Sequence, residues 1–489
     1  MNHLKSLASQ TAVYGISSVL ARLLNYLLVP LHTLLFSKGE FGPVPYFYAL
    51  GAFLLIIYTH GMETTFFRFS TKTKDPKSYD YAITSVIIVS LIISAILLSS
   101  ASSLATLAGY PGQGWLLQWL VIIIFIDAIT AIPFAKMRLE NNARKFAVTK
   151  VAIIIINISL QLLFLVVAPA LINSGQSGQF IQLISSLYNP ELGIGYIFLA
   201  NLIANVFLLF FIWPYFRNFT FRLNAATLKP MLFYALPLLL MGLAGTISDQ
   251  LDKILVRNYI SDEALGVYAQ TFKLAVFIIL AIQAFRYAGE PFFFSRAKDK
   301  NAPRLFADVL YYFVIFELII YIVVSFNIDL IGTVMLKREE YRVALYLVPV
   351  IMLGKLFYGI YLNISIWFKL KDKTIYGLYF TLLGAVITIA GNMLLIPVLG
   401  YDGSAITVIL VYVSMTVACY LSGRKHFPVP YKIGPMAIHI LVGIILVALS
   451  FVIQLDNTMA DSMLNIGATV GYIAIIWLIE KKNLTIKSY

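Results

Sequence analysis

Fourteen long apolar segments, most of them of 22 residues or more, follow one another along this chain of 489 residues. A bilayer core of about 30 Å requires about 20 mainly apolar residues per helix, whereas membrane-spanning strands are shorter and alternate in polarity. The sequence therefore predicts an all-α polytopic membrane protein with 14 transmembrane helices. The predicted spans are 10–36, 43–70, 81–107, 115–136, 147–169, 193–216, 230–256, 264–295, 305–335, 343–368, 374–396, 402–423, 433–454 and 461–479.

The composition excludes several classes of protein. Hydrophobic residues make up 60% of the chain and charged residues 12%, whereas soluble domains are about half apolar and a quarter charged. The single cysteine, Cys419, lies in an apolar run and excludes a disulfide framework. The five histidines lack the spacing of metal ligands, so we expect no metal site and no cofactor.

Lysine and arginine residues indicate the orientation. With the N-terminus in the cytoplasm, 26 of them fall in cytoplasmic connections or at the span ends beside them, against five in external connections and five deep within spans. This bias favours cytoplasmic N- and C-termini. The net charge of +13 then belongs to the lipid-facing cytoplasmic side, and we expect membrane lipids rather than nucleic acid as its partner.

An internal repeat organises the spans. Residues 37–42 (SKGEFG) and 261–266 (SDEALG) share the same spacing at an offset of 224, which places Asn25 opposite Asp249. A second correspondence joins residues 192–196, before the sixth span, to residues 399–404, before the twelfth. Six spans per unit predict two parallel six-helix lobes around a central cavity, the architecture of an alternating-access carrier. The predicted lobes are residues 1–224 and 225–425, with two appended helices in 426–489.

Three tracts resemble a known family. Residues 395–405 (LIPVLGYDGSA) are similar to a signature in the C-terminal half of the polysaccharide-biosynthesis, or Wzx-like, flippases. The turn at residues 40–42 and the segment from Pro133 through residues 138–144 resemble the N-terminal half of that family. The family belongs to the MOP superfamily with the MATE exporters and the lipid II flippase MurJ. Many of its members have twelve spans, and the fourteen predicted here leave room for a MurJ-like role.

Ionisable side chains interrupt the apolar spans. Because charge in the bilayer is costly, such groups normally face a cavity or a partner. One interpretation is structural: Asp249–Lys253 and Arg286–Glu290 are neutralised pairs. The other is a cationic chamber for an anionic headgroup, in keeping with the cationic central cavities of the resembling flippases. The predicted substrate-binding residues are Arg22, Asn25, Lys253, Lys273, Arg286 and Lys355.

Three acids are candidates for ion coupling. Asp249, Asp252 and Glu317 lie within predicted spans, where a carboxyl group can take up a proton or Na⁺ on one side and release it on the other. The alternative is that each acid balances a cation on a neighbouring helix. The coupling ion, where there is one, is therefore expected to be Na⁺ or H⁺.

The resemblance implies a flippase of the bacterial cytoplasmic membrane. Its expected cargo is an undecaprenyl-diphosphate-linked oligosaccharide, the repeat unit of an O-antigen, capsule or exopolysaccharide. Glycosyltransferases and a glycan polymerase would be its functional partners. The alternatives are a MurJ-like lipid II flippase and a MATE-like exporter coupled to Na⁺ or H⁺. The sequence has no nucleotide-binding loop and no catalytic constellation, so we do not expect an enzyme.

Overall fold

The computed structural model describes residues 19–20, 23–72, 77–174, 178–453, 463 and 465–474, and these residues form helices and no strands. Twelve helical stretches in this part of the chain are long and apolar enough to cross a membrane, and they correspond one to one to the second through thirteenth predicted spans. The first and last predicted spans lie partly outside the described residues. The all-α polytopic fold is confirmed. The stretches are Lys38–Lys72, Ser78–Ser99, Gly114–Leu139, Ala143–Asn173, Gly195–Phe216, Ala225–Tyr259, Val276–Arg296, Ala302–Phe326, Leu347–Leu370, Ile375–Leu399, Tyr401–His426 and Ile433–Val452.

The chain divides into two compact units, of which the first is Met1–Gly266. Its main helices are α1 (Leu28–Leu35), α2 (Pro43–Thr59), α3 (Met62–Lys72), α4 (Ser78–Ser99), α5 (Gly114–Leu139), α6 (Ala143–Leu162), α7 (Gly195–Phe216) and α8 (Ala225–Tyr259). Helix α5 packs against α2, α4 and α7, and α8 packs against α2 and α3. Leu116 and Ile132 of α5 are completely buried. A helix that is apolar all round belongs in the core, and α5 is the core helix of this unit.

The second unit is Val267–Tyr489. Its main helices are the end of α9 (Asp262–Leu274), then α10 (Val276–Arg296), α11 (Ala302–Phe326), α12 (Leu347–Ile364), α13 (Ile375–Leu399), α14 (Tyr401–His426) and α15 (Ile433–Val452). Helix α14 packs against α12 and α13, and α11 packs against α10, α12 and α15. A methyl group on Gly354 or Gly391 would come within 2.7 Å of α14. Small residues thus allow these helices to approach closely, as is common in membranes.

Burial separates interior helices from lipid-facing ones. In the most apolar window of Leu347–Leu370, 72% of the residues are buried, against 17% in Ile433–Val452. Large apolar side chains such as Phe210, Leu394 and Val398 are exposed. Exposed apolar surface of this extent is expected for helices surrounded by lipid rather than by water.

Several predicted spans are broken, among them 43–70, which forms α2 and α3 on either side of His60 and Gly61. Residues 264–295 form α9 and α10 separated at Ala275, and residues 305–335 form α11 and a short helix, Ile328–Met335, separated at Asn327. The Asn327 amide donates to the main-chain oxygen of Val323 over 2.7 Å and occupies a carbonyl group at the helix end. Hydropathy is continuous across these breaks, which is why the sequence predicted single helices there.

The second repeat correspondence is visible in the backbone. Gly193 (φ 46°, ψ −116°) and Gly400 (φ 64°, ψ −146°) adopt similar left-handed conformations directly before α7 and α14. Glycine tolerates this region at no steric cost. The lobe boundaries at 224 and 425 stay predictions, since the two compact units divide after Gly266.

Candidate transport site

The two repeated loops begin helices in the same way. Ser37 accepts a hydrogen bond from the backbone N–H of Glu40 over 3.4 Å, and the Glu40 carboxylate accepts one from the Ser37 backbone over 2.8 Å. Ser261 accepts from the backbone N–H of Ala264 over 3.2 Å. Serine thus serves as the N-cap in both loops.

The same loops contact each other with exchanged partners. A methyl group on Gly42 would collide with the main-chain oxygen of Asp262, and one on Gly266 would collide with that of Lys38. Asp262 is the repeat equivalent of Lys38, so the contact is related to itself by a pseudo-two-fold axis. Gly39 lies at this axis, where its Cβ position is 3.2 Å from the carboxylate of its own equivalent, Glu263. The repeated glycines are therefore required for close backbone approach.

An arginine, an aspartate and a tyrosine support this contact. Arg257 of α8 lies 3.6 Å from the Asp262 carboxylate, which also accepts a hydrogen bond from Tyr110. The Arg257 guanidinium donates to the main-chain oxygen of Gly109 over 3.3 Å and stacks 4.5 Å from the Tyr110 ring centroid. Burial and the hydrogen bond to Asp262 raise the pKa of Tyr110, so its phenol remains a donor at neutral pH.

The predicted cation Lys253 pairs with an acid on its own helix. Its ammonium group lies 3.4 Å from the Asp252 carboxylate and donates to the main-chain oxygen of Asp249 over 2.9 Å. Asp252 is buried, with 5% of its surface exposed. Lys253 thus contacts Asp252 through its carboxylate and the predicted i,i+4 partner, Asp249, through its main-chain oxygen.

Arg286 and Glu290 line one pocket but do not pair with each other. Glu290 forms an ion pair with Lys369, which is distant in sequence. Within the described part of the chain, Arg286 forms no ion pair, and its guanidinium lies 5.8 Å from the Tyr287 ring centroid. The pocket, with room for about one water molecule (20 Å³), is also lined by Asn363. The interpretation of Arg286–Glu290 as a neutralised pair was wrong, and the exposed Arg286 offers a cation at a pocket lined mostly by apolar side chains.

Lys355 is a buried cation among aromatic rings. Its ammonium group donates to the Tyr412 hydroxyl over 3.2 Å and lies 4.8 to 5.8 Å from the ring centroids of Tyr412, Phe272 and Tyr358. Cation–π contacts of this kind stabilise a desolvated ammonium group. Lys273 is half-buried in the last turn of α9, directly before the break at Ala275.

Glu317 stands apart from the other acids. It is completely buried in α11, and neither carboxyl oxygen has a hydrogen-bond partner among the described residues. An orphaned buried carboxyl group is costly, and in a membrane helix it marks a functional candidate. Two predicted substrate-binding residues remain. Asn25 is exposed, and Arg22 lies outside the described residues.

Sequence reasoning missed Tyr110, Lys369 and Tyr412. Each of these residues contacts a candidate residue through the tertiary fold alone, at sequence separations of 152, 79 and 57 residues. For the contact between the two loops, the sequence did carry a signal, since residues 37–42 and 261–266 form an internal repeat.

Comparisons with known proteins agree with this architecture. The sequence model of the polysaccharide biosynthesis protein family matches residues 33–314, and that of the MatE family matches residues 237–394. A protein of the Lsg locus of Haemophilus influenzae is 32% identical over 109 residues, which are 21% of this chain and 27% of that protein. The alignment thus spans about a quarter of that relative.

Solved transporter structures share the fold. The lipid II flippase MurJ in an inward closed conformation superposes with a TM-score of 0.75 at 14% identity, covering 96% of this chain and 99% of that one. An inward-facing multidrug resistance MATE transporter of the MOP superfamily gives 0.58 at 17% identity, covering 87% and 94%. A point mutant of the MATE transporter VcmN of Vibrio cholerae gives 0.58 at 16% identity, covering 88% and 99%. With the fold of the MOP superfamily and a family match over more than half its length, the chain belongs to the polysaccharide biosynthesis protein family, as the Wzx-like resemblance predicted.

Proposed function

We propose that this protein is a flippase that moves an undecaprenyl-diphosphate-linked oligosaccharide across the bacterial cytoplasmic membrane by alternating access. The observation that carries the proposal is Arg286, an exposed cation at a small pocket among apolar helices; the acid one turn away, Glu290, is paired with Lys369 instead. A guanidinium group binds phosphate oxygens through a planar set of N–H donors. In a protein of the polysaccharide biosynthesis family, a diphosphate-linked glycan is the ligand that fits such a group.

The proposed transport cycle uses the cations for capture. Arg286 and Lys355 attract the diphosphate from the cytoplasmic side, while the sugars occupy the polar interior and the polyprenyl tail stays in lipid. Lys253 and Lys273 are the secondary candidates, as is Arg22. Charge-assisted hydrogen bonds are strong in a desolvated interior, which lets the headgroup leave water.

The loops at residues 37–42 and 261–266 are proposed to form the outer gate. Their glycine contact seals by backbone approach, and Arg257, Asp262 and Tyr110 hold it. Release of the headgroup outside requires this contact to separate. The contact consists of closely packed glycines and a few hydrogen bonds and ion pairs. Such a contact can open in one step when one loop moves as a rigid body relative to the other.

Glu317 is the preferred coupling residue. It is buried without a hydrogen-bond partner among the described residues, whereas Asp252 already contacts Lys253. Asp249 remains a second candidate. We propose that H⁺ or Na⁺ binds at this carboxyl group and biases the direction of transport.

Two other cargoes are supported by single observations. The fold of MurJ covers nearly the whole chain, which favours lipid II as a second candidate. The MatE match to residues 237–394 favours a cation exporter. All three share one topology, with both termini in the cytoplasm, and the glycan readings imply glycosyltransferases and a polymerase as functional partners.

Native mass spectrometry of gently extracted protein tests the cargo. A co-purified polyprenyl-diphosphate glycan, with its sugar mass, would support the proposal and name the oligosaccharide. A pentapeptide-bearing species would identify lipid II instead. Bound phospholipid alone, together with drug-driven proton flux in vesicles, would overturn the glycan proposal in favour of the exporter.

A further inference from the structure

A second cationic pocket lies in the first unit. It encloses about 260 Å³ and is lined by Arg68, Phe69 and Lys72 of α3 and by Pro230 and Tyr234 of α8. Both helices belong to the first unit and pack against each other. Its volume is slightly below the range of pockets for drug-sized ligands, which suits a lipid headgroup rather than a whole lipid.

The aromatic wall arranges the guanidinium group for anion binding. Arg68 lies 4.1 Å from the Tyr234 ring centroid, and the Phe69 ring meets the same tyrosine edge-on at 6.4 Å. Stacking covers one face of the guanidinium group and leaves its N–H donors in the plane. Lys72 lies one helical turn further on, so its ammonium group extends along the same face of α3.

Within the described part of the chain, no acid is paired with the cations of this pocket. Among the described residues, the acids nearest in sequence are Glu63 and Asp80, and they are paired with Arg138 at 2.5 Å and Arg222 at 2.9 Å; Asp75 lies outside the described residues. Among the described residues, neither Arg68 nor Lys72 forms an ion pair. Cations in the last turn of a helix are common because they complement the helix dipole. That tendency does not account for a guanidinium group stacked at the wall of a cavity.

We infer that this pocket binds the phosphate group of a membrane lipid at the cytoplasmic surface. The proposed orientation places the end of α3 there, and basic pockets between membrane helices on that side suit anionic headgroups. Phe69, Pro230 and Tyr234 provide an apolar wall for the first carbons next to the phosphate. The ligand is either a bulk anionic phospholipid or the polyprenyl diphosphate; only the second source rests on the proposed function.

Lipid titration monitored by native mass spectrometry tests the site on the full chain. The probes are phosphatidylglycerol, phosphatidylcholine and undecaprenyl diphosphate, and the test variant is R68Q/K72Q. The matched control is R424Q/K425Q, which removes the same charge and also includes an arginine near a tyrosine, 5.8 Å from the Tyr420 ring centroid. Losing about 1 kcal/mol for each basic residue corresponds to a phosphatidylglycerol Kd raised about 30-fold.

The control and the zwitterionic lipid are expected to change less than twofold. An equal loss of phosphatidylglycerol affinity in both double variants would show that only the overall charge matters and would overturn the site. Unchanged phosphatidylglycerol binding in R68Q/K72Q would overturn it as well. Should that variant fold poorly, Y234L removes the ring that holds the guanidinium group and is expected to weaken binding about fivefold.

The two lipid arms separate the site from the cargo. Displacement of phosphatidylglycerol by undecaprenyl diphosphate would assign the pocket to substrate capture. Phosphatidylglycerol binding that depends on Arg68 and Lys72 without such displacement supports a site for bulk lipid. The conclusion that the pocket binds bulk lipid would stand even if the proposed glycan cargo were wrong.

Discussion

Replacing Gly42 or Gly266 with alanine tests the outer gate directly. Gly42 has a right-handed helical backbone (φ −48°, ψ −43°), so alanine there introduces no backbone strain. The added methyl group of either variant meets a main-chain oxygen, which cannot move aside like the end of a side chain. The loops must therefore separate by several tenths of an ångström.

The magnitude follows from two opposing terms. Overpacking typically costs about 1–3 kcal/mol. Alanine in place of glycine in a helical conformation returns up to about 1 kcal/mol. A net loss of about 1–2 kcal/mol in the gate contact shifts its open-to-closed ratio by a factor of about 5–30. The two substitutions act on one shared contact, so their effects are not expected to add.

Disulfide crosslinking across the gate reports this ratio. Cys419 is the single native cysteine, so a C419A background allows a G39C/E263C pair to be read alone. The Cβ position of residue 39 lies 3.3 Å from Cγ of Glu263, close to where a cysteine sulfur would stand. The measurement is the initial rate of crosslinking by a mild oxidant in proteoliposomes.

The matched control is Gly434→Ala. A methyl group on Gly434, in the first turn of α15, meets nothing within 4 Å. We expect crosslinking to slow with G42A or G266A, by about 5- to 30-fold under conditions in which the open state predominates, and to be unchanged with G434A. Equal rates in all three variants would refute the conclusion that the glycine contact holds the gate closed.

Three further variants test individual groups. R286Q is expected to reduce flipping of a labelled polyprenyl-diphosphate glycan in proteoliposomes at least tenfold, because it removes a charge-assisted phosphate contact of about 1.5–3 kcal/mol. The control K373Q, at an exposed site, should flip the glycan at the wild-type rate. E317Q should keep basal flipping and lose its stimulation by a proton or Na⁺ gradient, and stimulation at the wild-type level would exclude Glu317 as the coupling group. Y110F removes the hydrogen-bond donor to the partly exposed Asp262 and is expected to lower the free energy of unfolding by about 1 kcal/mol, measured as a lower Tm and slower gate crosslinking. An unchanged Tm would show that the ion pair with Arg257 is sufficient to hold Asp262.

Hydropathy was sufficient to predict the spans but not the breaks within them. The segments at 230–256 and 402–423 correspond to Ala225–Tyr259 and Tyr401–His426, because about 20 apolar residues are needed to cross lipid whatever the fold. The break at Asn327 depends on one amide bonding one carbonyl group. A window average over 18 residues does not register such a contact.

The candidate site was predictable as a set of charges and not as a set of contacts. Arg286 and Glu290 have the spacing of a helical pair, yet such pairs stabilise by only tenths of a kcal/mol. A lysine brought close by the fold, Lys369, therefore competes easily for the same carboxylate. Partner choice of this kind depends on packing and lies beyond reasoning from local spacing.

The repeated loops show which positions the gate requires. Ser37 and Ser261 cap helices, Gly42 and Gly266 allow backbone approach, and the intervening Phe41 and its equivalent Leu265 are both buried. All three kinds of position are shared by the two loops, and each has a structural task. A contact with pseudo-two-fold symmetry places the same demand on both copies, because each loop supplies the surface that the other meets.

The position at which the loops differ gives the gate its polarity. Lys38 and Asp262 are equivalent in the repeat but opposite in charge. Asp262 is held by Arg257 and Tyr110, whereas a hydrogen bond from Ser261 and the charge of Lys38 lower the pKa of Glu263. The shared glycines thus permit the same close approach in both loops, while the unlike charges give the two loops different ionic contacts. Because exposed ion pairs are weakened by salt and a backbone contact is not, high ionic strength should loosen only the ionic half of the gate.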